Sequence, residues 1–147
     1  MTVLRLVVLV IIAALSAEMG TAAVCECLVR EASGRLVARI GKDGVFRDAS
    51  GRRLGIFEAA DGAVRSGSGR LVGRIDSDGV VRDRAGRRLG SVDNNGTLRD
   101  ASGRILGHID GGSGLRNSTG RLVGHLEGWD PGCVHPVTAY LMFFDPL

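Results

Sequence analysis

The chain has few aromatic residues, a single lysine and no long apolar run, and these scarcities exclude several classes of protein. Only 4% of its 147 residues are aromatic, which is too few to provide stacking surfaces for bases, so nucleic acid is not an expected partner. The longest uninterrupted apolar run, residues 6–15, is half of the ~20 residues that a membrane helix needs. We therefore expect no transmembrane span in the mature chain.

Sequence signatures of catalysis are also missing. The serines, histidines and aspartates form no recognisable nucleophile pattern, and the glycine-rich stretches lack the strand–loop–helix context of a phosphate-binding loop. No short-range metal signature such as C-x-x-C is present. We predict a protein that is not an enzyme and that carries no cofactor.

The N-terminus has the pattern of a secretory signal peptide. Arg5 provides a basic region, an apolar stretch follows, and small residues precede a cleavage site after Ala22 or Ala23. The alternative is that this segment is retained as an anchor. We predict a signal peptide at 1–23, a single domain at 24–147, and a location outside the cell, in the periplasm or in the cell envelope.

Six segments of similar sequence repeat over residues 28–128, with a period of about 17 residues. Asp-Gly and Asn-Gly pairs mark one turn in each repeat and Ala-Ser-Gly groups mark a second. Each repeat therefore predicts two short strands, and the fold class is all-β, with six hairpins in a closed or flower-like array that shares one core. The repeats are aligned by their central glycines, which are Gly34, Gly51, Gly69, Gly86, Gly103 and Gly120.

Three columns of the aligned repeats are apolar throughout, and two of them lie three residues apart. This spacing breaks the alternation of a regular strand. The position between these two columns is usually glycine, which indicates a β-bulge or a close approach of another backbone. The residues at this position are Ala38, Gly55, Gly73, Gly90, Gly107 and Gly124.

The C-terminal tail, residues 129–147, differs from the repeats. A turn is followed by the apolar stretch VTAYLMFF at 137–144. We predict that the tail is a strand or plug in the core of the array. The alternative is an exposed segment that docks a partner or aggregates.

Three cysteines flank the repeats. Cys25 and Cys27 precede the first repeat and Cys133 follows the last. In an exported chain we expect a disulfide between Cys25 or Cys27 and Cys133, which would join the two ends of the array. The remaining cysteine would be free, pair between chains or bind a ligand. The alternative is that all three cysteines are reduced.

Histidines suggest one candidate metal site. His108 and His125 occupy the same column of adjacent repeats, and His135 lies two residues after Cys133. Together these four residues could provide nitrogen and sulfur ligands for zinc or copper. The alternative is that the histidines are solvated surface residues.

Arginine suggests one candidate binding surface, since the chain has 18 arginines. Two arginine columns recur, and acidic residues follow several members of the second. The columns could hold an anionic polymer such as a sulfated glycan or lipopolysaccharide; the alternative is an ion-paired surface that keeps the strands soluble. The first column, our candidate binding set, is Arg35, Arg52, Arg70, Arg87, Arg104 and Arg121, and the second is Arg30, Arg47, Arg65, Arg82, Arg99 and Arg116.

The repeat unit G-R-x-φ-G-x-φ-D-x-D-G-x-φ-R-D (φ apolar), the signal peptide and the apolar tail resemble the 5-fold beta-flower family. Members of that family are small secreted bacterial proteins whose hairpins surround a central axis like petals. The resemblance covers residues 28–144 and implies no catalytic residues. This chain differs by having about six units, and it lacks the tyrosine expected after the bulge glycine, where it has Ile56, Arg74, Ser91, His108 and His125.

Together these features predict an exported, non-catalytic structural or binding module of the cell envelope or extracellular space. The alternatives are binding of an anionic polymer through the arginine columns and binding of a metal by the histidine–cysteine set. The sequence does not identify the partner; an anionic glycan or an envelope component is a candidate.

Overall fold

The computed structural model describes residues 25–111 and 113–145. They form twelve antiparallel strands in one closed barrel, then a 3-10 turn at Pro131–Cys133 and one α-helix, α1, at Val134–Phe143. The predicted signal peptide lies outside the described residues. The strands are β1 (Cys27–Glu31), β2 (Leu36–Ile40), β3 (Val45–Asp48), β4 (Arg53–Glu58), β5 (Ala63–Ser66), β6 (Leu71–Ile75), β7 (Val80–Asp83), β8 (Arg88–Val92), β9 (Thr97–Asp100), β10 (Ile105–Ile109), β11 (Gly114–Asn117) and β12 (Leu122–Glu127).

Each strand pairs with the strands before and after it in the chain, and β1 pairs with β12 to close the ring. The closing ladder runs from Leu28 opposite Glu127 to Glu31 opposite Gly124. Closure leaves none of the described strands with a free edge, which is the feature that makes open sheets prone to aggregation. The predicted all-β fold of six hairpin repeats in a closed array is confirmed.

Two kinds of turn alternate around the ring, one kind at each end of the barrel. At one end the carboxylate of Asp48 accepts hydrogen bonds from the backbone N–H groups of Ser50 and Arg52, at 3.0 and 2.9 Å. Gly51 in that turn has a φ of 89°, and Gly96 at the opposite end has a φ of 82°. Glycine adopts this left-handed backbone without a steric cost, so the repeated glycines follow from the turn geometry.

The predicted bulge is present beside the repeated glycine. In the ladder between β5 and β6, the register shifts between Val64 and Arg65. A Cβ atom at Gly73 would collide with the carbonyl oxygen of Arg82 and with the ring of Phe143. The glycine therefore serves both predicted purposes, a bulge and a close approach. The same register shift occurs once in each of the six repeats.

The interior of the barrel is lined by two of the three apolar columns, while the third, next to the bulge, is partly buried apart from Leu89, which is exposed. Inward-facing residues alternate with outward-facing ones along each strand, as expected for a barrel. The buried columns are Ile40, Phe57, Ile75, Val92, Ile109 and Leu126, and Val29, Phe46, Val64, Val81, Leu98 and Leu115.

The C-terminal tail enters this core, so the predicted plug is confirmed, but it is a helix and not a strand. Residues 136–141 of α1 are buried, and the ring of Tyr140 packs edge-on against Phe46 with centroids 6.1 Å apart. A strand in the centre of a closed barrel would have no neighbour for its backbone hydrogen bonds, whereas a helix satisfies them internally. Among the described residues, no helix is both long and apolar enough to cross a bilayer.

Candidate binding surface at the arginine rim

The two ends of the barrel carry opposite charge. Because the strands alternate in direction, all the Ser-Gly-type turns lie at one end, and we call the arginines of these turns and the strand starts that follow them the arginine rim. The other end, with the Asp-Gly-type turns, is the acidic rim. The arginine rim comprises Arg35, Arg52, Arg53, Arg70, Arg84, Arg87, Arg88, Arg104 and Arg121. The acidic rim comprises Glu26, Asp43, Glu58, Asp61, Asp76, Asp78, Asp93, Asp110, Glu127 and Asp130.

The second arginine column of the sequence has a structural role on the barrel wall. In every repeat, Nη1 of this arginine donates a hydrogen bond of 3.0–3.3 Å to the carbonyl oxygen of the turn glycine four residues later. In four repeats Nε also donates to a carboxylate, as Arg82 does to Asp76 at 2.9 Å. All six arginines brace the turns, and four of them are ion-paired. For this column the alternative interpretation, an ion-paired surface, describes the structure.

The first arginine column, our candidate binding set, is exposed on the arginine rim. Arg35 pairs with Glu31 at 2.6 Å and Arg87 pairs with Asp83 at 3.1 Å, and the two arginine side chains are 77% and 83% exposed. Ion pairs that are this exposed contribute little to stability. Within the described chain, the other four members have no ion pair and donate no side-chain hydrogen bond; they are Arg52, Arg70, Arg104 and Arg121.

The carboxylates within the arginine rim are engaged by their own turns. Asp100 accepts hydrogen bonds from the hydroxyl of Ser102 at 2.6 Å and from the backbone N–H of Arg104 at 3.0 Å. These hydrogen bonds, the one from Ser102 first, lower the pKa of the Asp100 carboxyl below its ordinary value. Asp48 is held in the same way by Ser50, which lowers its pKa. These carboxylates hold the turns and stay ionised, but the nine arginines of the rim outnumber the four carboxylates of its turns, so the net charge of the rim is positive.

Sequence reasoning missed three arginines of this rim. Arg53 and Arg88 begin β4 and β8, and Arg84 lies in the turn before β8; all three are exposed. They fall outside the two columns that recur in every repeat, so a column-by-column comparison does not find them. The signal that could have found them is topological. Any residue next to the same type of turn must lie at the same end of a closed antiparallel array.

The four residues of the predicted metal set are not brought together. His108 lies on β10, with its Nδ1 3.1 Å from Oγ1 of Thr97, and His125 lies on β12. Strand β11 separates the two histidines, so neighbouring repeats place equivalent residues about 10 Å apart. Cys133 is in a disulfide. Equivalent residues of adjacent repeats therefore lie on alternate strands and not on neighbouring ones, so the expectation that His108 and His125 are spatial neighbours is wrong.

His135 lies at the other end of the molecule from the arginine rim. It is on the first turn of α1 and lines an open groove of about 870 Å³ at the acidic rim, together with Asp78 and Asp93. Burial lowers the pKa of His135, and the charge of Asp78 opposes that shift. In the described residues no group of three metal-ligating side chains includes a histidine.

The cysteines form the predicted disulfide that joins the two ends of the array. Cys25 and Cys133 are joined by a disulfide across 108 residues, with Cα atoms 5.1 Å apart. The sulfur of Cys27 lies within 4.8 Å of both. Cys27 is buried and unpaired, and burial, with a smaller contribution from the charge of Asp130, raises its pKa to about 11. Such a thiol is almost entirely protonated at neutral pH and is a poor nucleophile.

The comparisons with known proteins agree with this architecture. A family model described as 5-fold beta-flower protein matches residues 16–111 and again residues 57–135. Overlapping matches are expected of a repetitive chain, which can be aligned to the family in more than one register. No curated protein and no solved structure matches the chain. Together the two matches span most of the sequence, and the chain belongs to the 5-fold beta-flower family.

Proposed function

We propose that the protein is an exported, non-catalytic binding module of the cell envelope or extracellular space, and that it holds anionic ligands on its arginine rim. The observation that carries the proposal is the segregation of charge. Nine arginines lie around one mouth of the barrel, and four of the six in the repeated turn column have no ion-pair partner among the described residues.

The chemistry of these side chains favours sulfate, phosphate and carboxylate groups. Guanidinium groups donate paired hydrogen bonds to such anions, and they keep their charge at all physiological pH values. Because the barrel is closed and its turns are hydrogen-bonded, the rim presents its arginines as a ring with a fixed spacing. A polymer or a surface with repeated anionic groups can engage several of them at once, which compensates for the weakness of each contact.

The interior of the barrel supports a binding role at the surface. It is packed with the apolar columns and with α1, and an apolar interior does not suit a charged ligand. Among the buried side-chain polar atoms of the described residues, only the hydroxyl oxygen of Thr138 lacks a hydrogen-bond partner. The export of the protein is part of the proposal, and it rests on the N-terminal signal pattern and on the disulfide.

Retention on immobilised heparin, a sulfated glycan, tests the proposal. We expect the mature protein to be retained and to elute with salt. The double variant R104A/R121A should elute at lower salt, because it loses two unpaired guanidiniums of the rim. The matched control is R39A/R74A, which removes the same charge from exposed arginines on the barrel wall.

The control variant should elute closer to the wild type than the rim variant does. If the wild type is not retained, the proposed function is wrong. If both variants shift equally, retention reflects net charge, and the rim is not the binding surface.

A further inference from the structure

The arginine rim also carries the large exposed aliphatic side chains of the described chain. They are Leu89, Ile105 and Leu122, with exposed fractions of 37%, 42% and 41%. Single exposed apolar residues are common on protein surfaces. These three lie at the same end of the barrel, each within the first two residues of a strand that leaves an arginine-rim turn.

The barrel topology places the three residues on one side of the arginine rim. Ile105 and Leu122 are the first residues of β10 and β12, and Leu89 is the second residue of β8; these are alternate strands of the ring. Adjacent strands are ~4.8 Å apart, so Ile105 and Leu122 are about 10 Å apart, and Leu89 lies one residue further along its own strand. Each of the three directly follows an arginine of the rim in sequence, and these arginines are Arg88, Arg104 and Arg121.

This combination distinguishes two kinds of anionic ligand. A soluble glycan would engage the guanidiniums and gain little from aliphatic side chains. A lipid surface would engage both, because guanidiniums bind headgroup phosphates while aliphatic side chains enter the boundary between headgroups and acyl chains. Exposing these aliphatic residues also lowers the solubility of the protein, and a purely electrostatic binding site would not need them.

We propose that the side of the arginine rim formed by β8, β10 and β12 docks on an anionic lipid surface. This inference rests on the proposed function and names its ligand class. The lipid-docking patch consists of Arg88, Leu89, Arg104, Ile105, Arg121 and Leu122. Charge complementarity sets the orientation, since the acidic rim lies at the opposite end and is repelled by the same surface. The groove beside His135 then faces away from the lipid.

Co-sedimentation with lipid vesicles tests the inference. The vesicles are phosphatidylglycerol mixed with phosphatidylcholine, and phosphatidylcholine alone. We expect the wild type to bind the anionic vesicles only. The variant L89S/I105S/L122S should lose roughly tenfold or more of its affinity for them while its retention on heparin stays unchanged. R104A/R121A should weaken both kinds of binding.

Other results contradict the inference in distinguishable ways. If the aliphatic variant binds anionic vesicles as well as the wild type, or if the wild type binds heparin but no vesicle, lipid docking is wrong and the proposed function stands. If the wild type binds neither heparin nor vesicles, both fail. Thermal melting of each variant by circular dichroism checks the fold, and the single variant L122S replaces the triple variant if the latter melts early.

Discussion

The buried, unpaired thiol of Cys27 makes the stability of the protein depend on pH. Its pKa is raised to about 11 in the folded protein, from an ordinary value of 9.0, chiefly because the thiol is buried next to the disulfide. A raised pKa means that folding favours the protonated form. The contribution of this thiol to the free energy of unfolding is complete below about pH 9 and is lost as the pH rises through about 11, since the unfolded chain releases the proton first.

We predict that the free energy of unfolding falls between pH 9 and pH 11, with a slope of at most about 1.4 kcal/mol per pH unit from this group. Urea denaturation at a series of pH values measures it. The variant C27A should lack this part of the slope. Subtracting the slope of C27A from that of the wild type removes the contributions of all other groups. Equal slopes would show that Cys27 does not titrate as its burial indicates.

At the scale of single elements, the bulge glycines set the distance between the barrel wall and the helix. Gly73 on β6 faces the ring of Phe143, and Gly90 on β8 lies next to Met142 of α1. A larger residue at these positions would have to displace both a neighbouring strand and the helix. Small residues on the barrel wall therefore face large residues of the helix, although the two segments are far apart in the chain.

We predict that G73A destabilises the protein by about 1–3 kcal/mol, because the added methyl group collides with the carbonyl oxygen of Arg82 and with Phe143. The control is G111A in an exposed turn, where a methyl group would meet no atom within 4 Å. Chemical denaturation of both variants measures the difference. A loss in G111A as large as that in G73A would mean that the effect does not come from packing inside the barrel.

At the scale of the whole described structure, the barrel is a ring whose first and last strands are joined. The β1–β12 ladder closes it by hydrogen bonds, and the Cys25–Cys133 disulfide ties the strand that begins the ring to the helix that fills it. In the entropy model, a bridge that closes a loop of this length stabilises the folded state by about 4–5 kcal/mol. The closure also holds the turns of each rim in a fixed circle.

We predict that C25A/C27A is less stable than C27A by a large part of that amount, measured by urea denaturation. The comparison is made without Cys27 because its sulfur is close enough to Cys133 to replace Cys25 in the bridge. The heparin retention of the two proteins should be the same at temperatures where both are folded, since the arginine rim lies at the other end of the barrel. Equal stabilities would show that the strand ladder alone closes the ring.

The local features of the fold were predictable because they depend on neighbours in the chain. The turn glycines, such as Gly51, follow from a backbone that only glycine adopts without strain. The bulge at Gly73 follows from two apolar columns three residues apart. Six copies of the same hairpin then leave closure as the arrangement that buries a common core and protects every edge.

The candidate site was predictable in part. The arginine column at Arg104 and Arg121 was visible as a repeat, but ion pairing depends on distances between strands, so the sequence did not separate this column from the structural one at Arg82. The histidine set failed for the same reason, since His108 and His125 are one repeat apart in sequence but two strands apart in the ring.

The sequence by itself determined the repeat, the two turn types, the bulges, the presence of a core plug and the candidate cysteines, because each depends on residue type and short-range spacing. Only the tertiary structure decided that the plug is a helix, since the closed ring leaves a central strand without partners. It also decided that Cys25, just outside β1, forms the bridge while Cys27 on β1 is buried beside it. The gathering of unpaired arginines and exposed aliphatic residues at one rim likewise exists only once the strands alternate around a closed barrel.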